Sequence, residues 1–357
     1  MRYVPINRLR KGMLCGRRLQ GNNDTLLLNR GAIIQDSYIK KIKSLGFSGI
    51  YIDDNLSTDI EVSEIIPDNL RHKSVKTLKD LFNNIGKPTN ILTSKLDTFS
   101  SLINDMLENI MSNKNIMINM QDLKIFDDYT YFHSVNVGVL SMLVGVSMKL
   151  NRKQLHQLGL ASMLHDIGKV FIPLDILNKP GKLTDDEFII MKSHSIKGFE
   201  HFNSKNIIPA AANLGILDHH ERYDGTGYPY QKENDETSLY GKIIAIADVF
   251  DALTSDRPYR KALSPSDATE YIMGGCNSQF NDDIVKLFLQ RIAPYAQGTT
   301  IVLSNGWIGI VALNYFDSGL RPLIKVISKG HEEITPFYLD LRSDRNSFDI
   351  TITGLAY

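Results

Sequence analysis

Residues 163–183, MLHDIGKVFIPLDILNKPGKL, place a histidine, an aspartate and a lysine within five positions at the end of an apolar run. An imidazole beside a carboxylate, His165 and Asp166, suits a borderline divalent metal such as Fe, Mn or Zn. The ammonium of Lys169 suits an anionic substrate such as a phosphate. One His-Asp pair is a weak signal, because a capped helix end looks the same. Residues 127–260 add His133, His194, the pair His219–His220 and Asp248, each on or beside a predicted helix. With His165, five of the nine histidines fall in this set, which scattered surface histidines would not do.

The candidate ligands are therefore His133, His165, Asp166, His194, His219, His220 and Asp248. Seven side chains are too many for one ion and enough for two, provided one carboxylate bridges and water completes each shell. Asp166 is the natural bridge, since a carboxylate offers two oxygens and an imidazole gives a metal one nitrogen. Two ions roughly 3.5–4 Å apart clamp an in-line displacement at phosphorus and lower the pKa of a shared water, giving a metal-bridging hydroxide. Lys169, with Asp166 the catalytic candidate, would stabilise the phosphate or assist the departing oxygen. No Ser or Cys nucleophile is arranged for a covalent route. Each residue also has a plainer reading. His133 alone would be a hydrogen-bonded core histidine, and His194 a surface residue. The His219–His220 pair could close a helix, where cations are favoured, and Asp248 could pair with a Lys or Arg. Asp251 reads as a packing or supporting residue; His156 and His201 fall outside the pattern. The ordered set favours the metal reading.

Seven ligands dispersed over more than a hundred positions need a helical bundle whose members project them inward. The sequence supplies one. A long apolar helix over 128–149 carries His133 near its start. Asn151 caps a second, which runs to about Leu164 and meets a C-terminal stop at Gly168. Thr184-Asp185-Asp186-Glu187 opens another as a capping box, with His194 in its second half. Residues 207–217 lead into His219-His220, and 243–253 carry Asp248 and Asp251. Ser264-Pro265 and Asn281 start two more.

The flanks differ. Residues 1–55 read as a small β-rich module, with strands near 3–4, 25–28 and 49–52 and a short helix over 34–45. Residues 56–115 form a helical linker, broken near Lys87-Pro88. Its apolar stripes, Val75, Leu78, Leu81 and Phe82, then Leu96, Phe99, Leu102, Ile103, Met106 and Ile110, pack on a core or on a second subunit. A homodimer through residues 74–113 follows from the second option. Residues 116–296 are the catalytic domain. Residues 297–357 form a β module, opened by a hairpin at Ser304-Asn305-Gly306. The fold class is mainly α: an all-α bundle flanked by small β-rich N-terminal and C-terminal modules.

Of the 357 residues 43% are hydrophobic and 22% charged, and formal net charge is zero. This is the composition of a soluble globular protein and gives no reason for general nucleic-acid or anionic-membrane binding. No run of 18 apolar residues occurs, so no membrane span is expected. The N-terminus, MRYVPINRLRKGM, has no apolar signal, and Cys15 and Cys276 form no ligand pattern; both point to a cytoplasmic protein.

Four stretches carry a resemblance: DDYTYFHSVNV at 127–137, HDIGKVFIPLDILNKPGKLTDDE at 165–187, HHERYDGTGYP at 219–229 and IIAIADVFDALTSDRPYRKA at 243–262. Together residues 127 to about 295 resemble the HD-GYP domain, a branch of the HD superfamily of metal-dependent phosphohydrolases. The HD pair alone would give only the superfamily; the HHE and DGTGYP block selects the branch. The resemblance implies a phosphodiesterase hydrolysing cyclic di-GMP to pGpG, GMP or both, with the seven residues above as ligands and Lys169 on the phosphate side. It implies further that Gly227, Tyr228 and Pro229 lie in a loop lining the substrate pocket, and that Arg257 and Arg260 sit near the cyclic dinucleotide. Guanidinium forks suit phosphate or guanine edges, and a tyrosine ring suits stacking. Some members hold a third metal through a glutamate four residues before the first histidine. Here that place is Tyr129, and Asp127 and Asp128 point away around a helix. Two divalent ions are thus expected, Fe or Mn first, with Zn or Ni compatible. Two other readings stay open: a catalytically silent cyclic-dinucleotide sensor, and a phosphohydrolase of another nucleotide such as cyclic GMP-AMP.

Overall fold

The computed structural model describes residues 1–357 except 22–24, 114–116, 119–128, 256–260, 331 and 357. The chain divides into two compact units, one of Met1–Glu64, Asn115–Asp127 and Gln290–Tyr357, the other of Ile65–Lys114 and Asp128–Leu289.

The first unit carries the strands. Its N-terminal part holds β1 (Arg2–Pro5), β2 (Leu14–Cys15), β3 (Leu19–Gln20), β4 (Leu26–Leu28), helix α1 (Asp36–Ser44) and β5 (Gly49–Asp53). β1 and β2 flank β5 in an antiparallel sheet, and β3 pairs with β4. The C-terminal part holds β6 (Thr300–Leu303), β7 (Trp307–Leu313), β8 (Leu323–Lys329), β9 (Glu332–Asp340) and β10 (Ile352–Leu355), in the order β10-β6-β7-β8-β9. The β6–β7 turn uses Gly306 at φ +79°, a left-handed value that glycine adopts without strain, and Asn305 Oδ1 accepts from Trp307 N. Residues 1–55 and 297–357, set apart in the sequence reading, share this unit. Tyr3 N donates to Gly298 O at 2.9 Å. Asp59 takes Lys325 Nζ and Tyr338 Oη at 2.6 Å each.

The second unit is helical: α2 (Asp68–Asn83), α3 (Thr89–Ser112), α4 (Tyr129–Ser147), α5 (Arg152–Leu164), α6 (Leu174–Leu177), α7 (Asp185–Lys192), α8 (His194–Asn203), α9 (Ala210–Asp218), α10 (Leu239–Thr254), α11 (Pro265–Gly274) and α12 (Asp282–Leu289). Local chemistry sets the starts. Asn151 and Gln154 form a capping box at α5, Thr184 and Glu187 form another at α7, and Ser264 caps α11 with Pro265 behind it. α4 is apolar almost all round, and it packs against α5 on one side and α10 on another. Gly138 permits the first contact, because a Cβ there would lie 2.4 Å from Met163 Cγ.

The stripe on α3 is used inside the chain. Phe99, Ile103, Met106 and Ile110 are fully buried, and α3 packs on α2, α4 and α5. The apolar stripe of α3 thus packs on the chain's own core. No helix among the described residues is long and apolar enough to cross a membrane.

Candidate metal centre

Five stretches deliver the predicted ligands to one place within the helical unit. His133 comes from the start of α4, His165 and Asp166 from the turn after α5, and His194 opens α8. His219 and His220 follow α9, and Asp248 lies in α10. Donor atoms of Asp166, His194, His219 and His220 all lie within 4.8 Å of one another, and so do those of His133, His165 and Asp248. Asp166 lies between the groups: its Oδ2 is 3.4 Å from His165 Nε2 and its Oδ1 3.5 Å from His194 Nε2. Within the groups, His194 Nε2 and His219 Nε2 are 3.3 Å apart, and His133 Nε2 is 3.1 Å from Asp248 Oδ1.

Two local features bring the stretches together. The expected helix over 184 onward breaks at Ser193, so His194 starts a new helix rather than ending the old one. Gly168 was expected as a helix stop; it serves as a point of close approach. A Cβ at Gly168 would lie 1.9 Å from His194 O, so only glycine lets the HD turn press against the start of α8.

The imidazoles are oriented by their far nitrogens. Nδ1 of His165 donates to Ser162 O at 2.6 Å, that of His194 to Met191 O at 2.8 Å, and that of His219 to Ile216 O at 2.7 Å. A carbonyl only accepts, so Nδ1 carries the proton and the Nε2 lone pair faces the centre. His133 Nδ1 instead donates to Asp251 Oδ2 at 2.7 Å, and Asn136 Nδ2 donates to Asp251 Oδ1 at 3.0 Å.

Electrostatics agree with a cation site. Burial lowers the pKa of His194 to about 4 and of His220 to about 3, and puts His219 well below its usual value, so these rings are neutral at pH 7. Burial also pushes His133 down, but Asp248 and Asp251 outweigh it and hold that ring up at about 10. Burial opposes ionisation of Asp166, and Lys169, His165 and His194 overcome it; the carboxyl sits well below the usual range. Asp248 is likewise lowered, against burial, by His133.

His165 Nε2 and Asp166 Oδ1 are buried with no hydrogen-bond partner. Each such atom costs about 1–3 kcal/mol, and a divalent ion would satisfy both. Two carboxylates among imidazoles are a donor set that fits such ions.

A cavity of about 780 Å³ opens beside the centre, with His133, Asp166, Lys169, His220 and Asp248 among its walls. Phe82, Tyr131, Leu174, Leu177, Leu253 and Tyr271 line the rest, with Asn178 as a polar contact. Lys169 lies on a 3-10 turn, Ile167–Phe171, with Nζ 2.5 Å from Asp166 Oδ2.

Gly227, Tyr228 and Pro229 do not line this cavity. The Tyr228 ring stacks on His220 at 4.6 Å with 30° between planes, and Lys192 Nζ lies 5.6 Å from it. Gly227 is needed because a Cβ would meet Arg222 N at 2.3 Å. Glu221 Oε1 and Oε2 accept from Tyr230 N at 2.7 Å and Lys232 N at 3.1 Å, fixing the loop beyond the triplet. Arg257, Arg260, Asp127 and Asp128 lie outside the described residues. Sequence reasoning missed Asn136 and the lining residues Phe82, Tyr131 and Tyr271. Asn136, one helical turn after His133, was the one with a readable signal.

The HD domain family matches residues 97–283, just over half the chain. The chain belongs to the HD domain family. Its HHE and DGTGYP block and its relatives make it an HD-GYP protein within that family. This HD-GYP chain is 28% identical over 367 aligned residues to a cyclic di-GMP phosphodiesterase of Pseudomonas aeruginosa, covering 94% of this chain and 87% of that one. It is 36% identical over 190 residues to a 3'3'-cGAMP-specific phosphodiesterase of Vibrio cholerae, covering 50% of this chain and 42% of the relative. A solved HDG"Y"P protein from Bdellovibrio bacteriovorus shares the fold, with a TM-score of 0.52 at 18% identity over 80% of this chain and 97% of that one. HD-domain phosphohydrolases bind divalent metals, and the two His/Asp groups are where this one can hold them.

Proposed function

We propose that this HD-GYP protein is a cyclic di-GMP phosphodiesterase, giving pGpG, GMP or both, with two divalent ions, Fe or Mn first. The observation that carries the reading is the meeting of two ligand groups at Asp166, on the wall of a cavity that also holds Lys169. His133, His165 and Asp248 would hold one ion and His194, His219 and His220 the other, with Asp166 between. Such a pair, when bound, polarises a phosphate and activates water. The residues do the rest. Lys169 Nζ exchanges its contact with Asp166 for a phosphate oxygen and holds a proton for the departing ribose oxygen as the O–P bond breaks. Phe82, Tyr131 and Tyr271 give a purine base an apolar, aromatic wall. Phe82 meets the Tyr131 ring edge-on at 5.4 Å, which holds that ring in place. Gly227, Tyr228 and Pro229 are assigned to the substrate-pocket loop by family resemblance, and the Tyr228 ring supports that of His220. Arg257 and Arg260 are assigned to the cyclic dinucleotide by family resemblance.

A second reading, hydrolysis of a cyclic GMP-AMP hybrid, is favoured by the name of the Vibrio relative. One experiment separates them. Protein purified anaerobically and loaded with Mn or Fe(II) is incubated with cyclic di-GMP and with 3'3'-cGAMP in parallel. Faster loss of cyclic di-GMP is expected. Faster loss of the hybrid selects the second reading, and binding of either without turnover makes the protein a sensor.

A further inference from the structure

His133 is held unlike its neighbours in the centre. The carbonyls that orient His165, His194 and His219 each lie three residues back along the chain. Backbone geometry supplies them, and no side-chain change removes them. His133 depends on a side chain 118 positions away. Asp251 is fully buried, stands three residues after Asp248 on α10, and so shares its face of the helix. The two carboxylates reach both nitrogens of one ring, Asp248 at Nε2 and Asp251 at Nδ1. The free oxygen of Asp251 is pinned by Asn136, itself 3% exposed and one turn along α4 from His133. A carboxylate this deep costs several kcal/mol of desolvation, and neither the ligand set nor the cavity wall includes it.

We propose that Asp251, seconded by Asn136, is the positioning residue of the metal position at His133. It holds the Nδ1 proton in place and keeps Nε2, the nitrogen an ion would take, turned toward Asp248 and His165. This rests on the two-metal reading above. It adds that the two positions depend on different supports, so that loss of Asp251 empties one and leaves the other.

Asp251→Asn tests this with little change of shape. An amide can donate to Nδ1, which would put the ring proton on Nε2 and remove it as a ligand. Mn(II) is titrated into metal-free wild type and variant, and bound ions are counted. The spectrum is followed by electron paramagnetic resonance, where a coupled Mn pair and an isolated Mn ion differ. The wild type is expected to take about two ions and give the pair signal. In the variant one binding step should weaken by roughly 10–100-fold, the other should be unchanged, and the isolated signal should replace the pair. Asn136→Ala, which keeps the carboxylate but frees it, should weaken the same step by a smaller factor and covers the case where Asp251→Asn does not fold. Two unweakened steps, or both weakened together, would overturn the inference. A wild type that binds no Mn would overturn the two-metal reading itself.

Discussion

The two units spend their interiors on different things. In the strand-bearing unit the cores are apolar: Val4, Ile34, Ile42 and Ile52 form one cluster, and Ile301, Val311, Ile324 and Val326 another. In the helical unit the deepest positions include His133, His165, Asp166, His194, His219 and Asp251, each no more than 5% exposed. Apolar burial contributes about 25 cal/mol per Å², whereas a buried polar group costs stability unless it is paired. The first interior is built around apolar packing, with a few buried polar groups such as Lys325, which is paired with Asp59. The second carries groups that a stability-driven core would replace, and their donor atoms face one another.

This contrast can be broken at several points. The largest effect belongs to Asp166→Ala, which removes the residue shared by both groups. Turnover of cyclic di-GMP should fall by on the order of a thousandfold or more, and bound metal, measured by elemental analysis, should fall with it; unchanged metal would mean the ligand assignment is wrong. Lys169→Ala should keep its ions and lose roughly a hundredfold in rate. A normal rate would remove Lys169 from the chemistry. Tyr131→Ala probes the apolar wall: an aromatic contact of about 1.4 kcal/mol corresponds to roughly a tenfold rise in KM, with metal content unchanged. An unaltered KM would put the base elsewhere.

A proton should mark the comparison next. The pKa of His133 in the metal-free protein is raised to about 10, so the ring is charged at neutral pH. An ion arriving at Nε2 displaces that proton, and affinity should therefore climb with pH, by up to about tenfold per unit, levelling as pH passes about 10. Proton release on Mn addition in weak buffer reads this directly; uptake without release would contradict it. The smallest effect on chemistry should come from the other unit. Ile324→Ala should cost about 2–5 kcal/mol in denaturant unfolding, while metal content and turnover per folded molecule stay as they were.

Much of the centre was legible because its signals are local. The capping pairs Asn151–Gln154 and Thr184–Glu187 mark helix starts within four residues, and the ligands stand at or beside those helices. What stayed hidden depends on distant contacts. Nothing near Gly168 in sequence reveals that His194 O lies against it, so it reads as an ordinary stop. The break at Ser193 is a one-residue event inside a helical pattern. The α3 stripe looks the same whether it faces its own core or a partner. Asp59 and Lys325 are 266 positions apart, and no periodicity joins the two β stretches they help to tie. That the Tyr228 ring stacks on His220 is equally a contact that sequence spacing does not show.

The account stands on two ions held by seven side chains. Elemental analysis of anaerobically purified protein, with product identification on the same sample, tests it most directly. It predicts about two divalent ions per chain and conversion of cyclic di-GMP to pGpG or GMP that stops when the ions are chelated and returns when Mn or Fe(II) is restored. Steady hydrolysis by protein that holds no divalent ion would contradict it.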